Sequence, residues 1–309
     1  MCQLSRHLLV AFPFSLATVP ALAHGSHIHL PESFPWTWDI WITGPLALLL
    51  LVFARGWWRL RSRSARGVPV LQRRAVTFGT GLGLLAVALI SPIHAAGERS
   101  FLVHMIEHEI LMLAATPLLV MAEPLPVMLW SFPPRGRRLL GRAGAMLSRS
   151  DWWRILSSPI GATVLQAAAL WLWHAPTLFN QALQSDAWHI VQHLSFILTA
   201  VMFWNAMLRW RGTHAGDTAA KMLAVLCLVV TSLVGGALGA LMAFAQSPWY
   251  AAYLKLGPPP FGLTAMEDQQ LAGLVMWVPG GLIHVGAALV LMRHLLSSTA
   301  STQGTHDAV

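Results

Sequence analysis

This chain contains two pairs of histidines, and within each pair the two histidines are four residues apart. The segment "HMIEH" holds His104 and His108, and the segment "HIVQH" holds His189 and His193. Residues four apart share one face of an α-helix at a separation of about 6 Å, so each segment places two imidazoles side by side. Imidazole nitrogens bind copper, zinc and haem iron, and the spacing therefore indicates metal-binding chemistry.

One further histidine precedes each pair, His94 before the first and His174 before the second, and each stands at the end of an apolar stretch. The candidate metal ligands are His94, His104, His108, His174, His189 and His193. Ionisable groups within membrane spans are costly and are usually functional, which favours a binding role for this set. A lone membrane histidine is more often an interhelical hydrogen-bonding group, and we assign that role to His284.

The composition is that of a polytopic membrane protein. Of 309 residues, 56% are hydrophobic and only 10% are charged, which excludes a soluble enzyme. The net charge of +8 lies in loops between apolar stretches, and no basic cluster is interleaved with a soluble fold. Nucleic acid is therefore excluded as a partner.

The apolar stretches predict an all-α bundle of seven transmembrane helices after a signal peptide. The spans are expected near residues 37–54, 75–93, 102–121, 160–176, 188–208, 221–245 and 270–292. This gives a signal peptide at 1–23, an extracytoplasmic tail at 24–36, a membrane domain at 37–295 and a cytoplasmic tail at 296–309.

The N-terminus has the pattern of a cleaved targeting segment. Arg6 precedes an apolar run, and "ALA" ends at residue 23 as a small-residue cleavage site. Pro13 interrupts the run, which is shorter than the ~20 residues that a span needs; a retained first helix is the alternative. The tail would then begin with "HGSHIH". Its histidines are accessory candidate ligands on the oxidising side, namely His24, His27 and His29.

The distribution of basic residues predicts the orientation. Seventeen of the 20 Lys and Arg residues fall on one side of the predicted spans, and residues 55–74 hold seven Arg and no acid. By the positive-inside rule that side is cytoplasmic, in a bacterial inner membrane, so the mature N-terminus is periplasmic and the C-terminus cytoplasmic. All six candidate ligands then share the periplasmic level of the membrane.

The residues leave three kinds of metal chemistry open. "HMIEH" matches the HxxEH pattern of zinc proteases, with Glu107 as the base, but the second segment has Gln192 at that position. Haem is a second alternative, because imidazoles from facing helices can ligate its iron. Copper binds imidazoles that have soft ligands nearby. Met105, Met112 and Met266 are close to the histidines in sequence or in predicted depth in the membrane.

Four segments, taken in order, resemble one known family. They are "HMIEHEILMLAATPLLVMAEPLP", "LWLWHAPTLFNQAL", "WHIVQHLSFILTAVMFW" and "MEDQQLAGLVMWVPGG". Together they are similar to the CtaG family of cytochrome c oxidase assembly factors, the polytopic kind associated with caa-type oxidases. The similarity covers about residues 35–295.

The resemblance implies an integral membrane factor that matures the oxidase at a copper centre, without catalytic turnover. Its implied partners are oxidase subunits. From the residues themselves we expect copper as the bound metal, with haem or zinc as alternatives, and a periplasmic copper chaperone as a further partner. The pattern carries over to His104, His108, His174, His189, His193, Asp268 and Gln269. Glu107 and Asp268 are expected to orient imidazoles, and Met105 and Gln269 are accessory residues.

Overall fold

The computed structural model describes residues 34–63, 67–208 and 218–306, with side chains up to residue 297. The predicted signal peptide and His24, His27 and His29 lie outside these residues. Within the described residues the chain forms helices and no β-strand, which confirms the predicted all-α class.

Fourteen α-helices follow one another in the described residues. They are α1 (Ile40–Arg61), α2 (Val68–Ile90), α3 (Pro92–Gly97), α4 (Phe101–Glu109), α5 (Thr116–Met121), α6 (Pro124–Leu129), α7 (Pro134–Arg149), α8 (Asp151–Leu156), α9 (Pro159–Trp173), α10 (Pro176–Gln184), α11 (Asp186–Leu208), α12 (Thr218–Ala243), α13 (Ala251–Lys255) and α14 (Ala265–His306). A π-helical segment, Ile110–Ala115, joins α4 to α5, and a 3₁₀ turn occupies Pro260–Gly262.

Six helical segments are long and apolar enough to cross a membrane, so the chain is a multi-pass membrane protein. They are Ile40–Arg61, Val68–Ile90, Phe101–Met121, Asp186–Leu208, Thr218–Ala243 and Ala265–Ser297. The predicted span near 160–176 corresponds to α9, which has 15 residues. Its length of about 22 Å is less than the ~30 Å thickness of the hydrocarbon core. The structure therefore supports six of the seven predicted transmembrane helices.

The second span ends earlier than the hydropathy pattern predicts. Ser91 precedes Pro92 and takes an extended conformation, with φ −73° and ψ 171°, because the proline ring disfavours the α conformation of the residue before it. The Ser91 hydroxyl then accepts a hydrogen bond from the Ile93 amide and starts α3. His94 therefore lies on α3, a separate short helix, and not at the end of α2.

The π-helical segment has a cause in the sequence. Pro117 has no amide hydrogen, so an ordinary helix would leave the carbonyl four residues earlier without a donor and in contact with the proline ring. In the structure the Thr116 amide donates to Leu111 O, five residues back. With this spacing of five residues, the Met112 carbonyl would need the amide of Pro117, which has no hydrogen to donate. Trp204 Nε1 of α11 donates to Met112 O instead, at 2.8 Å.

Helices α12 and α14 pack closely through small residues. A Cβ atom added at Gly273 would lie 2.5 Å from Gly239 O, and one added at Gly239 would lie 2.7 Å from Gly273 O. Close backbone approach at glycine is the usual way in which membrane helices associate. This pairing holds the start of α14 against the end of the bundle that carries the candidate ligands.

Helix α7 differs from the rest of the bundle because none of its residues is buried. It carries Arg135, Arg137, Arg138, Arg142 and Arg149. Its large apolar side chains are also exposed: Leu139 is 69% exposed and Met146 is 75% exposed.

Candidate metal centre

The six predicted histidines come together at the end of the bundle where α4 and α11 begin. Ring centroids are 4.3 Å apart within each pair, His104 with His108 and His189 with His193. The pairs meet at 5.3 Å between His104 and His189. His94, His104, His108, His174, His189 and His193 are each at most 8% exposed, and we call these six residues the imidazole cluster.

Four members of the cluster belong to groups of three residues whose ligand atoms lie close together. The ligand atoms of His104, His189 and His193 lie within 4.8 Å of one another, and so do those of His94, Glu107 and His193. His108 touches the same rings, 5.1 Å from His193 between centroids. Among the described residues neither His108 nor His174 belongs to a ligand group of this size, so the structure places them at the margin.

Glu107 lies in the interior of the cluster. Its Oε1 atom is 2.8 Å from His94 Nδ1 and 3.8 Å from His193 Nδ1, and the residue is fully buried. It therefore contacts two imidazoles of the cluster. Burial lowers the pKa of His94, but the hydrogen bond and charge of Glu107 outweigh it and leave that pKa raised. The pairing fixes the orientation of the His94 ring in the way that carboxylates hold metal-ligating histidines.

Met105 and His174 form the inner margin of the cluster. His174 Nδ1 is 2.7 Å from Leu170 O, so this nitrogen carries the hydrogen and Nε2 keeps its lone pair. His174 Nε2 lies 3.4 Å from Met105 Sδ. A thioether and an imidazole nitrogen are thus adjacent, which is a combination that suits copper(I).

Several nitrogens in the cluster make no hydrogen bond to other described residues. Both ring nitrogens of His104 and of His108, and the Nε2 atoms of His189 and His193, are buried without a partner. A buried polar atom without a partner costs about 1–3 kcal/mol. Together these lone pairs could hold a metal ion.

Glu98 forms the exposed edge of the cluster, and the sequence analysis did not single it out. Its carboxylate, His94 and His189 lie within 4.8 Å of one another, and Glu98 alone of the three is exposed. His189 also belongs to the group with His104 and His193. The group that reaches the protein surface through Glu98 therefore shares His189 with a fully buried group.

Asp268 positions the cluster from a distance, and the predicted contact with an imidazole is not its role. Its Oδ2 accepts from the Phe101 amide at 2.7 Å, and its Oδ1 accepts from the Ser100 hydroxyl at 2.6 Å. These bonds cap the first turn of α4, whose N-terminal amides have no partner within the helix. Asp268 thereby fixes where His104 and His108 stand.

Gln269 holds the segment between α12 and α14 against the first turn of α14 by two hydrogen bonds. Its Oε1 accepts from the Trp249 amide at 2.6 Å, and its Nε2 donates to Ser247 O at 3.3 Å. Because Gln269 follows Asp268 directly, the two neighbours fix the connection and the start of α4 to one turn of α14.

Four aromatic residues pack over the cluster. Phe179 lies 5.2 Å from His104 between ring centroids and stacks on Tyr250 at 4.1 Å. Phe101 packs edge-on to Phe179, and Tyr253 completes the group, which we call the aromatic cover.

The two tyrosines of the chain also donate hydrogen bonds to elements of the cluster. Tyr250 donates to His174 O at 3.0 Å, and Tyr253 donates to Gly97 O at 2.8 Å. Burial raises the pKa of both phenols, so both remain donors at neutral pH. No motif in the sequence indicates this cover; the one available signal is that the only two tyrosines of the chain stand three residues apart.

The sequence also has relatives among known proteins. The Mycobacterium bovis protein Mb0105 and the Mycobacterium tuberculosis protein MT0111 are each 29% identical to the chain over 180 residues. The match covers 56% of this chain and 26% of each relative, so the chain spans about a quarter of the length of these relatives. No solved structure gives a significant match.

The family comparison covers most of the membrane portion. Residues 51–298 match the family described as cytochrome c oxidase caa3 assembly factor (Caa3_CtaG). The matched range contains the whole imidazole cluster, the aromatic cover and Asp268, and it agrees with the resemblance found in the four sequence segments. The chain therefore belongs to the caa3 cytochrome c oxidase assembly factor family.

Proposed function

We propose that this protein binds copper in the imidazole cluster at the periplasmic face of the bacterial inner membrane and delivers it to a cytochrome c oxidase subunit. One observation carries the proposal: His104, His189 and His193 place their ligand atoms within 4.8 Å of one another, deep in the bundle. Neutral imidazoles with a thioether nearby match the ligand preferences of copper. Family membership supplies the oxidase as the destination.

The geometry suits transfer better than permanent storage. The ligands come from α3, α4 and α11, and an exposed Glu98 leads to them from the surface. An ion held by neutral histidines competes with protons for its ligands, so it can be released. A periplasmic copper chaperone is the donor that we expect at the Glu98 side.

The packing of the rings favours a single ion over haem. Haem places a macrocycle between its two axial imidazoles. Here His94 and His104 each stack on His189, at 5.3 Å between ring centroids.

The zinc hydrolase alternative is also less well supported. A catalytic base must reach a water molecule and a substrate. Glu107 is fully buried, and its Oε1 bonds His94. A role in positioning histidines accounts for this placement, and a non-enzymatic function follows.

Copper analysis of the purified protein tests the proposal. Wild type and the variants His104→Ala, His189→Ala and the double variant are loaded with copper(I) under reducing conditions, and copper per protein is measured after desalting. Each single variant should lose most of the copper bound by the cluster, and the double variant should be little worse, because ligands of one ion act as a unit.

A matched control uses the exposed His294 of α14, whose change to Ala should leave the copper content unchanged. In cells, the cluster variants should make oxidase apoprotein but lose oxidase activity, with partial rescue by added copper. Equal copper stoichiometry in wild type and both single variants would show that the cluster is not the copper site. A Soret band in the purified protein would point to haem instead.

A further inference from the structure

A small cavity, lined largely by apolar atoms, lies along the span Phe101–Met121. It has a volume of about 40 Å³ and lies between that span, α9, α12 and α14. The side chains that matter for its chemistry are Glu109, Met112, Gln166, Thr231, Met276 and His284. A cavity of this size admits one to a few atoms the size of a water molecule or a metal ion.

Three buried atoms in the lining have no partner among the described residues. They are Glu109 Oε2, Gln166 Oε1 and His284 Nε2. Gln166 and His284 are each only 7% exposed. The Glu109 carboxyl group lies against α14, because a Cβ atom added at Gly280 would be 3.3 Å from its Oε2.

Gln166 and His284 each use their N–H group in a hydrogen bond elsewhere, so the atom that each leaves free is an acceptor. Gln166 Nε2 donates to Met112 Sδ at 3.6 Å, which leaves the amide oxygen free. His284 Nδ1 donates to Gly280 O at 2.7 Å, which leaves a lone pair on Nε2. An amide oxygen, an imidazole nitrogen and a carboxyl oxygen therefore share one cavity.

Donors and positive charges are scarce in the same lining. The Thr231 hydroxyl donates to Cys227 O at 2.8 Å and is occupied. Ser232 supplies the other hydroxyl, and no Lys or Arg is among the described residues that line the cavity. Because burying an isolated charge is very unfavourable, the Glu109 side chain must either carry a proton or face a bound cation.

We propose that this cavity is a second metal site that binds one copper(I) ion. Glu109 supplies the single negative charge that a monovalent ion requires, and His284 Nε2 supplies a nitrogen ligand. The thioethers of Met112 and Met276 line the cavity and are the soft ligands that select copper(I) over zinc. The identity of the ion rests on the proposed function, whereas the case for a cation site rests on the three acceptor atoms in the lining that have no partner among the described residues.

The position of this site suits an ion that leaves the imidazole cluster. Met105 contacts His174 in the cluster, and Met112 follows seven residues later, about 10 Å along the same span. His108 and Met112 stand four residues apart on that path. The ion would therefore move from imidazoles at the surface end to a mixed site deeper in the bundle.

Copper counting with separate variants tests the second site. Wild type should bind two copper(I) ions. Glu109→Gln and His284→Phe should each bind one, a twofold loss, and His284→Phe keeps an aromatic ring to stack on Trp204, which lies 5.6 Å away. The double variant His104→Ala/His189→Ala should retain the deeper ion, and its combination with Glu109→Gln should retain none.

X-ray absorption by copper in the His104→Ala/His189→Ala protein gives an independent readout. Sulfur scattering should be present, and Met276→Leu, which preserves volume, should reduce it. Thr163→Val is the matched control, because Thr163 is also buried without a partner among the described residues but lies outside the cavity lining. This control should leave the copper count at two.

Each result decides between named alternatives. If Glu109→Gln and His284→Phe bind as much copper as wild type, the cavity holds a proton and water, and the second site is wrong. If wild type binds one ion that His284→Phe loses and His104→Ala/His189→Ala keeps, the second site stands and the proposed cluster site fails. Sulfur scattering that Met276→Leu leaves unchanged would also contradict the deeper site.

Discussion

Asp268 and Ser100 are 168 residues apart in the chain, yet their side-chain oxygens lie 2.6 Å from each other. The contact joins the first turn of α14 to the N-cap residue that directly precedes α4. Two backbone amides of α4 also donate to Asp268, those of Phe101 and Leu102. The start of the helix that carries His104 and His108 is therefore fixed by a residue that binds no histidine.

Asp268→Ala should lower the free energy of unfolding by about 3 kcal/mol, because it leaves several buried donors without an acceptor. Denaturation of the protein in bicelles by SDS, followed by tryptophan fluorescence, measures the change. The cluster should also hold less copper, since His104 loses its fixed position. Asp151→Ala is the control, because Asp151 is 92% exposed and its ion pair with Arg154 is loose at 3.6 Å. Equal midpoints for the two variants would contradict this role of Asp268.

Glu98→Gln should slow the uptake of copper without changing how much is bound at equilibrium. Glu98 is exposed and stands at the outer edge of the ligand groups, next to His94 and His189. A negative charge at the mouth of a site raises the association rate of a cation, and salt weakens this effect. Stopped-flow transfer from a copper(I) chelator at low and high salt measures it. A rate that matches wild type at low salt would exclude Glu98 as the point of access.

Gly273→Ala should destabilise the bundle by about 1–3 kcal/mol, because the added methyl group would overlap Gly239 O across the helix pair. Gly83→Ala is the matched control in α2. Apart from its chain neighbours and the backbone of its own helix, no atom of the described residues lies within 4 Å of a Cβ atom added at Gly83. That change should be neutral or stabilising by up to about 1 kcal/mol, since alanine is the better helix former. The same bicelle denaturation experiment compares them, and similar losses in both would mean that α12 and α14 are not in contact.

Reporter fusions test the orientation on which the proposed function depends. Fusions after Arg63 and Arg142 should report the cytoplasm, because arginine-rich loops stay on that side. Fusions near Gly97 and Gly257 should report the periplasm. A reversed result at either pair would move the imidazole cluster to the cytoplasmic face and would contradict delivery from the periplasm.

The spacing of the histidines was enough to predict much of the site. Residues four apart must share a helix face, so the ring contacts within His104 and His108 follow directly from the sequence. Hydropathy and charge then placed these pairs at one level. The family resemblance, carried by four ordered segments, was confirmed over residues 51–298.

Other features depend on contacts that no local pattern encodes. Asp268 stands next to Gln269 in a polar segment, and nothing in that segment indicates that its partner is Ser100. In the sequence, Glu98 looks like an ordinary acidic loop residue. Its position near His189, 91 residues further along the chain, is visible only in the structure. The length of α9 was overestimated because the apolar pattern continues past Trp173, whereas the backbone turns before Pro176.

Helix α7 has consequences for how the protein should be handled. A 16-residue helix is only marginally stable alone in water, and none of its residues is buried in the bundle. Its arginines and exposed leucines form a strongly amphipathic pattern, typical of helices that lie in the headgroup region of a bilayer. Its helical content should therefore depend on the lipid that surrounds the protein, and anionic vesicles will preserve this segment better than neutral detergent micelles.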